Sequence, residues 1–489
     1  MAGSDTLRWT FGLINSGNKY LTAEQFQSKI NFNGATLRKK QIWTLEKVGD
    51  NIIALKSCFG RFLGSDKDGK ASGAYEAVGD ESKWIIETQK DGKIALKNAT
   101  FGRYFGGSGD QVSGFYKEST PECLFTIHLA IHPQINLYNV NRKLYAHLHG
   151  EEVVVKEVIP WGADAMVILE FHKGRYAIRA SNKKYVSRTG QLIEEPKDDA
   201  LYTLVFKNDQ VAFRDCKGKY LTAVGHAAVL QSRKDTISKD ELFQLKDSQS
   251  QFFFRASNQK FVTIRDSFEV RAKQPEMTDD EIFQLEAVNR ADMSGNVKWA
   301  IRGKNKKYWS TAATNVICDQ ESFNSDPSCQ FEVEWLGSSI AFKASNGKYI
   351  AIKPNGQLAA NSDQIEDNAK FVCEMINRPI LILRCEFGFV GCKGGSGVLE
   401  CNKNLYDVFD IVVKEGVYAI KAPSGSWVQL KDDDGFSSKG DSPTNFFFEM
   451  RAHSRMTLIA PNGKYVKGEQ SGGFKAQATE ITNQTLWEY

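Results

Sequence analysis

Ala341-Phe-Lys-Ala-Ser-Asn-Gly-Lys-Tyr-Ile-Ala351 decides the fold. An alternating apolar strand leads into a turn built on Asn346 and Gly347, then a basic residue, an aromatic ring and a second strand. The same unit recurs along the whole chain. It reads LINSGNKYLTA (13–23), ALKSCFGRFLG (54–64) and ALKNATFGRYFG (95–106), then YNVNRKLYAHL (138–148), AIRASNKKYVS (177–187) and AFRDCKGKYLT (212–222). FRASNQKFVT (254–263) and AIRGKNKKYWS (300–310) precede the opening stretch; LRCEFGFVGC (383–392), AIKAPSGSWVQ (419–429) and LIAPNGKYVKG (458–468) follow it. The twelve rings are Tyr20, Phe62, Tyr104, Tyr145, Tyr185, Tyr220, Phe261, Tyr308, Tyr349, Phe389, Trp427 and Tyr465, spaced 35 to 47 residues apart. Nine follow a Lys or Arg directly; Leu144, Gly388 and Ser426 break the rule.

A second strand accompanies each unit, with large apolar residues at period two. Examples are Trp43-x-Leu45, Trp84-x-Ile86, Phe125-x-Ile127, Tyr202-x-Leu204, Phe283-x-Leu285 and Phe371-x-Cys373. Such alternation means a strand with one buried face. DKDGK (66–70), TGQL (189–192), PNGQL (354–358) and DDDGF (432–436) supply turns, and no stretch reads as a long helix. One unit is too short to bury its apolar face, so units must associate. A sheet leaves open edges unless it closes. Three units of about four strands give enough for a small barrel with capping hairpins.

Twelve units in 489 residues therefore predict an all-β chain of four tandem β-trefoil domains, each of three four-strand pseudo-repeats. The expected borders are 6–131, 132–249, 250–376 and 377–489. HPQINLY (132–138) and NRPILIL (377–383) read as short proline-containing linkers, and Gln249–Gln251 as the junction between the second and third domains.

Composition narrows the function. A net charge of +4 gives no global attraction to nucleic acid, so any anionic partner must meet a local patch. No apolar run reaches the ~18 residues of a spanning helix, so no membrane insertion is expected. MAGSDTLRWTFG carries an acidic residue and no apolar core, which argues against a signal peptide. The nine cysteines, odd in number and without a CxxC pair, are expected as reduced thiols in a cytoplasmic chain. No Walker A motif or G-x-S-x-G elbow occurs. His128/His132 and His147/His149 lack a third ligand, so no catalytic residue, metal or cofactor is expected.

The chain resembles the fascin family over essentially its whole length. FGLINSGNKYLTAE (11–24), LRKKQIWTLE (37–46), HPQINLY, VAFRDCKGKYL (211–221), KDELFQL (239–245), ASNGKYIAIKPNGQLAA (344–360), INRPI (376–380) and the terminal LWEY carry the resemblance. It implies a non-enzymatic, monomeric protein that cross-links F-actin into tight parallel bundles in filopodia and similar projections. It also implies where actin binds. Arg38, Lys39 and Lys40, with Lys19 nearby, form one candidate surface; Lys343, Lys348, Lys353, Lys393 and Lys467 form a second, in a family whose first and last trefoils lie close together. Arg142 and Lys143 form a third. The family shows two adjacent basic residues where this chain has Lys393-Gly394, and a His where it has Phe387. Thr36 aligns with a regulatory phosphorylation position. The Arg38-Lys39-Lys40 that follows it suits a basophilic kinase, and a phosphate of about −1.5 to −2 charges would neutralise much of that patch.

Other readings weigh less. The run Lys304–Lys307 overlaps the repeat consensus and reads as structural. The repeated ring reads as filling the core or its cap, with the preceding cation solvated. A carbohydrate-binding trefoil is the alternative function, but its Gln-x-Trp signature occurs only as Gln41-Ile42-Trp43.

Overall fold

The structure is a computed structural model that describes residues 9–89, 91–207, 210–265, 268–289 and 297–489; the expected start of the first domain at residue 6 lies outside them. Among the described residues there is no α-helix. The elements are strands and three-residue 3₁₀ turns. The strands fall, in chain order, into three sheets of twelve, then one of five and one of eight. In the first sheet, strand Thr10–Ile14 pairs with the last strand, Leu124–Leu129, which closes the barrel. Gln251–Arg255 closes on Phe371–Met375 in the same way, and Arg384–Cys385 on Trp487–Glu488. Closure leaves no barrel edge open. The two smaller sheets are tied by the bridges Tyr418↔Phe446 and Val398↔Ser437, so they form one domain. The hairpins of each domain meet in a cap, through bridges such as Phe32↔Gly109, Lys70↔Ser113 and Arg271↔Gln357. Four tandem β-trefoils result.

The repeat ring does not fill the barrel. In all twelve repeats the next residue does, from Leu21 to Val466, each buried. Successive side chains on a strand face opposite ways, so the ring lies outside. Tyr20, Phe62, Tyr185 and Tyr308 are buried there and the other eight are half-buried. A cation on the paired strand covers many of them: Lys56 lies 5.1 Å from the Phe62 centroid, Arg179 5.4 Å from Tyr185 and Lys421 4.6 Å from Trp427. Each such contact is worth about 0.5–1 kcal/mol. The tryptophans of the second repeated strand complete the core. Trp43, Trp84 and Trp487 donate their indole N–H to the carbonyls of Leu21, Leu63 and Val466, at 3.1, 2.9 and 3.0 Å. The lone Gln-x-Trp motif is thus core.

The chain divides into two compact units. Of the described residues, one comprises those within 9–156 and 167–246, the other those within 157–166 and 247–489. Within each, two trefoils share one hydrophobic core. In the first unit, the buried Tyr176 hydroxyl accepts the Leu129 N–H at 2.8 Å and donates to the Ile127 carbonyl at 3.0 Å. In the second, Tyr418 accepts the Met375 N–H at 2.8 Å.

The expected proline linkers are strands. Gln134–Asn139 and Ile380–Leu381 open their trefoils, and the carbonyls of Pro133 and Pro379 accept Leu169 and Ile411 N–H groups, both at 2.9 Å. Gln249–Gln251 is no free junction either. It is buried in the second unit, where the Gln251 N–H donates to Asn377 Oδ1 at 3.0 Å and Asn377 Nδ2 to the Gln249 carbonyl at 2.6 Å.

Candidate functional site

The basic run of the first trefoil sits on a fixed turn. Arg38 is extended, and Lys39–Gln41 forms a 3₁₀ turn before strand Trp43–Gly49. Buried Gln41 holds it: its side-chain amide donates to Thr22 Oγ1 at 3.0 Å, and its oxygen accepts the Arg38 N–H at 3.2 Å. Leu37 is seated over Gly12, where a Cβ would stand 2.5 Å from Leu37 Cδ1, so a larger residue there would displace Leu37. Thr22 belongs to strand Tyr20–Ala23, which begins one residue after Lys19. The turn and Lys19 are thereby held at one part of the trefoil surface. Lys19, Arg38, Lys39 and Lys40 are all exposed, and Thr36 is half-exposed in the bend that leads into the turn. Lys40 pairs with Glu24 at 2.7 Å. Burial raises the Cys58 thiol, and the charges of Lys39 and Lys40 pull it back.

Ion pairs in four of the repeats set Lys19 apart from those counterparts. Arg61 pairs with Glu76 at 3.8 Å and Lys219 with Asp235 at 2.5 Å, while Lys307 and Lys348 pair with Glu321 and Asp363. In each, the cation before the ring meets an acid 14–16 residues on, across a hairpin. Fourteen to sixteen residues after Lys19 stand Asn33, Gly34 and Ala35. Lys19 therefore has no acid at that place.

The second candidate surface divides. Lys343 lies 5.7 Å from the Tyr349 centroid, Lys348 is ion-paired, and Lys353 donates to Asn315 Oδ1 at 2.7 Å; all three are half-buried within the third trefoil. Lys393 and Lys467 belong to the fourth. Lys393 is 60% exposed and meets Glu400 at 3.0 Å, which also meets Lys403 at 2.8 Å. Lys467 is 29% exposed and meets Glu469 at 3.1 Å. The bridge Glu400↔Gly473 brings these two groups together.

In the third surface, Arg142 spends one N–H on the Ala223 carbonyl at 2.9 Å. Exposed Lys143 sits at a left-handed φ of 57° at a hairpin tip. Lys304 pairs with Asp279 at 3.0 Å, as the structural reading of that run expects.

One feature escaped sequence reasoning. Beside the first basic run lies a cleft of about 180 Å³ lined by Glu24, Gln25, Ser28, Lys29, Phe59 and Arg61, among others. Next to it Phe26 is 74% exposed, on a turn whose next two residues, Gln27 and Ser28, both adopt left-handed φ, 53° and 50°. Arg61 donates to Ser28 Oγ there. Arg61 reads in sequence as one more basic-aromatic step. Only its position beside Phe26 marks it out.

The family model of the fascin domain matches four times, at residues 17–127, 135–245, 257–373 and 386–489. The chain belongs to the fascin family. It is 37% identical over 489 residues to Fascin-2 of Bos taurus, covering 99% of this chain and 98% of that one. It is 36% identical to Fascin of Strongylocentrotus purpuratus, covering 99% of both. Fascin-3 of Mus musculus is more distant, 26% identical over 98% of this chain and 96% of its own. Membership makes this fascin a structural protein rather than an enzyme. Among the described residues, no helix is long and apolar enough to cross a membrane.

Proposed function

We propose that this fascin binds actin filaments and cross-links them into tight parallel bundles, as a monomer with two or more actin-binding surfaces, in the actin cytoskeleton of filopodia and other cytoplasmic projections. Its four trefoils are proposed to span 6–131, 132–249, 250–376 and 377–489. The observation that carries the reading is the Lys19/Arg38–Lys40 cluster. It is an exposed group of cations on a turn fixed by Gln41 and Leu37, in a chain related to fascins from end to end. A preorganised cationic patch suits the acidic surface of actin, since little ordering is needed on binding.

Arg142 and Lys143 supply a further surface, as do Lys393 and Lys467, whose charges Glu400 and Glu469 partly balance. Lys343, Lys348 and Lys353 contribute least, because each already has a partner. Phe26 adds an aromatic anchor beside the first surface. Thr36 phosphorylation by a basophilic kinase would oppose the charge of that surface.

Actin pelleting tests the reading. Low-speed pelleting reports bundles, and high-speed pelleting reports binding. Lys39→Glu with Lys40→Glu should abolish bundling at physiological salt, and Thr36→Asp should weaken it. Wild-type protein that leaves F-actin as dispersed filaments would refute the proposal.

A further inference from the structure

The fourth trefoil holds two thiols in one gap. Cys385 ends strand Arg384–Cys385, and Cys401 lies in strand Leu399–Lys403; strand Gly388–Cys392 pairs with both. In a flat sheet, strands two places apart stand roughly 9.5 Å apart. Here the register shifts between Phe389 and Gly391, a bulge that bends the sheet. Cys385 Sγ comes within 3.4 Å of the Cys401 carbonyl. Both sulfurs lie 3.2 Å from the point that a Cβ on Gly468 would occupy. Gly468 therefore leaves open the space that the two thiols share.

The pair differs from the other seven cysteines. Burial raises the thiols of Cys318 and Cys329 to about 12 and about 11, and that of Cys373 well above its ordinary value. Cys385 alone is lowered, chiefly by a hydrogen bond from the Cys401 thiol, while Cys401 is raised by the same contact. Cys385 is half-buried, the more accessible of the two. Cys401 is buried, with its sulfur also 3.0 Å from the Gly473 carbonyl.

We propose that Cys385 and Cys401 are a reversible oxidation site that takes a peroxide and closes to an intrachain disulfide. The Cys385 thiolate attacks one peroxide oxygen; the O–O bond breaks, giving a sulfenic acid and, after protonation, water. The Cys401 sulfur then attacks Cys385, the S–O bond breaks, and a second water leaves with the Cys401 proton. Two sulfurs each lose one electron, and one peroxide becomes two waters. A dithiol such as dithiothreitol reverses the step.

The bond would also act on a candidate surface. Forming it withdraws the Cys401 thiol from Gly473. The neighbours are Glu400, which holds Lys393, and Glu469, which holds Lys467. Oxidation should therefore disturb the Lys393/Lys467 surface and lower bundling, a consequence that rests on the actin-binding reading above.

The test uses the full chain. Protein treated with hydrogen peroxide, then alkylated and digested, should yield a 385–401 linked peptide that dithiothreitol removes. Cys385→Ser and Cys401→Ser should each abolish it. Low-speed actin pelleting should fall severalfold on oxidation, return with dithiothreitol, and stay constant in Cys385→Ser. Linkage only through exposed Cys216, between copies, would overturn the site. A 385–401 bond with unchanged bundling would overturn its regulatory role. Failure of the actin reading shows separately, as absent bundling by the reduced protein.

Discussion

The two units join their trefoils with the same part and support it differently. Tyr176 and Tyr418 occupy equivalent places, each accepting an N–H from the last strand of the preceding trefoil. One residue before that N–H, the first unit has His128 and the second has Glu374. His128 is half-buried, stacks on Phe171 at 3.8 Å, and stands 2.8 Å from the Tyr20 hydroxyl. Glu374 is half-buried and accepts the Gly416 N–H at 3.1 Å. The second unit instead buries a charge in its seam. Arg378, 1% exposed, donates to Ser248 Oγ at 2.9 Å and the Ser248 carbonyl at 2.7 Å, over the Tyr489 ring. One seam thus depends on a neutral imidazole, the other on a guanidinium whose two terminal nitrogens bond backbone and hydroxyl oxygens while its buried Nε has no partner. The repeat fixes the geometry of a joint, and the chemistry that fills it can vary.

The largest effect expected is at Arg378. Burial lowers it to about 10, so it remains charged at neutral pH. Arg378→Ala strands the Ser248 carbonyl and leaves a void, at a cost of about 3–5 kcal/mol. Amide exchange should accelerate across 247–489 and stay unchanged across 9–156. Equal acceleration in both would mean that the seams are not independent.

Acid should separate the seams next. Burial lowers His128 to about 4, against about 6.5 in an unfolded chain. Between those values the unfolded state binds the proton and the folded state does not, so stability falls as pH drops from about 6.5 to about 4 and levels off below. The full loss is on the order of 3 kcal/mol. Denaturation of the first unit, followed through exchange of the Leu129 amide, should show this slope. His128→Gln should flatten it, and a slope that survives the substitution would assign it elsewhere.

The tyrosines should behave almost alike. Tyr418→Phe leaves the buried Met375 N–H without its acceptor, a loss of about 1–3 kcal/mol. Tyr176→Phe removes an acceptor and also a donor to Ile127, so its cost should be larger by up to about 1 kcal/mol. Paired urea titrations of the two variants measure the difference. A smaller loss at Tyr176 would show that its second bond contributes nothing.

Much of this architecture was legible because a repeat constrains every copy at once. Period-two strands, turns and closure lead to four trefoils without reference to any particular side chain. Which face of a strand turns inward is another matter. Alternation marks two faces, but the ring and the smaller residue after it are both apolar, so Tyr349 reads as core where Ile350 is. The proline segments misread because Pro133 and Pro379 lie just ahead of strands, where a missing N–H costs nothing. The basic residues were visible, but their partners were not. Asp363 lies fifteen residues beyond Lys348, and Asn315 thirty-eight before Lys353, so only strand register shows that they meet. Phe26 carried no signal, since its exposure depends on two left-handed residues that are not glycine.

The smallest effect on stability should come from the repeat cations, and there the same sequence position should part into two roles. Lys19 and Lys348 both precede a repeat ring, but only Lys348 has an acid across its hairpin. That pair is partly exposed, so Lys348→Ala should cost between about 0 and 1 kcal/mol. Among the described residues Lys19 has no ion pair to break, so Lys19→Ala should leave stability unchanged. On the proposed actin surface the order reverses. Lys348 must give up Asp363 before it can meet actin, whereas Lys19 has no acid across its hairpin and stands beside Arg38, Lys39 and Lys40. High-speed pelleting should therefore show a severalfold loss of affinity for Lys19→Ala and little change for Lys348→Ala, with added salt narrowing the gap. Equal losses would mean that the existing ion pair does not decide which repeat cations bind, and the contrast between the two positions would then lie in the partner's shape rather than in this chain's electrostatics.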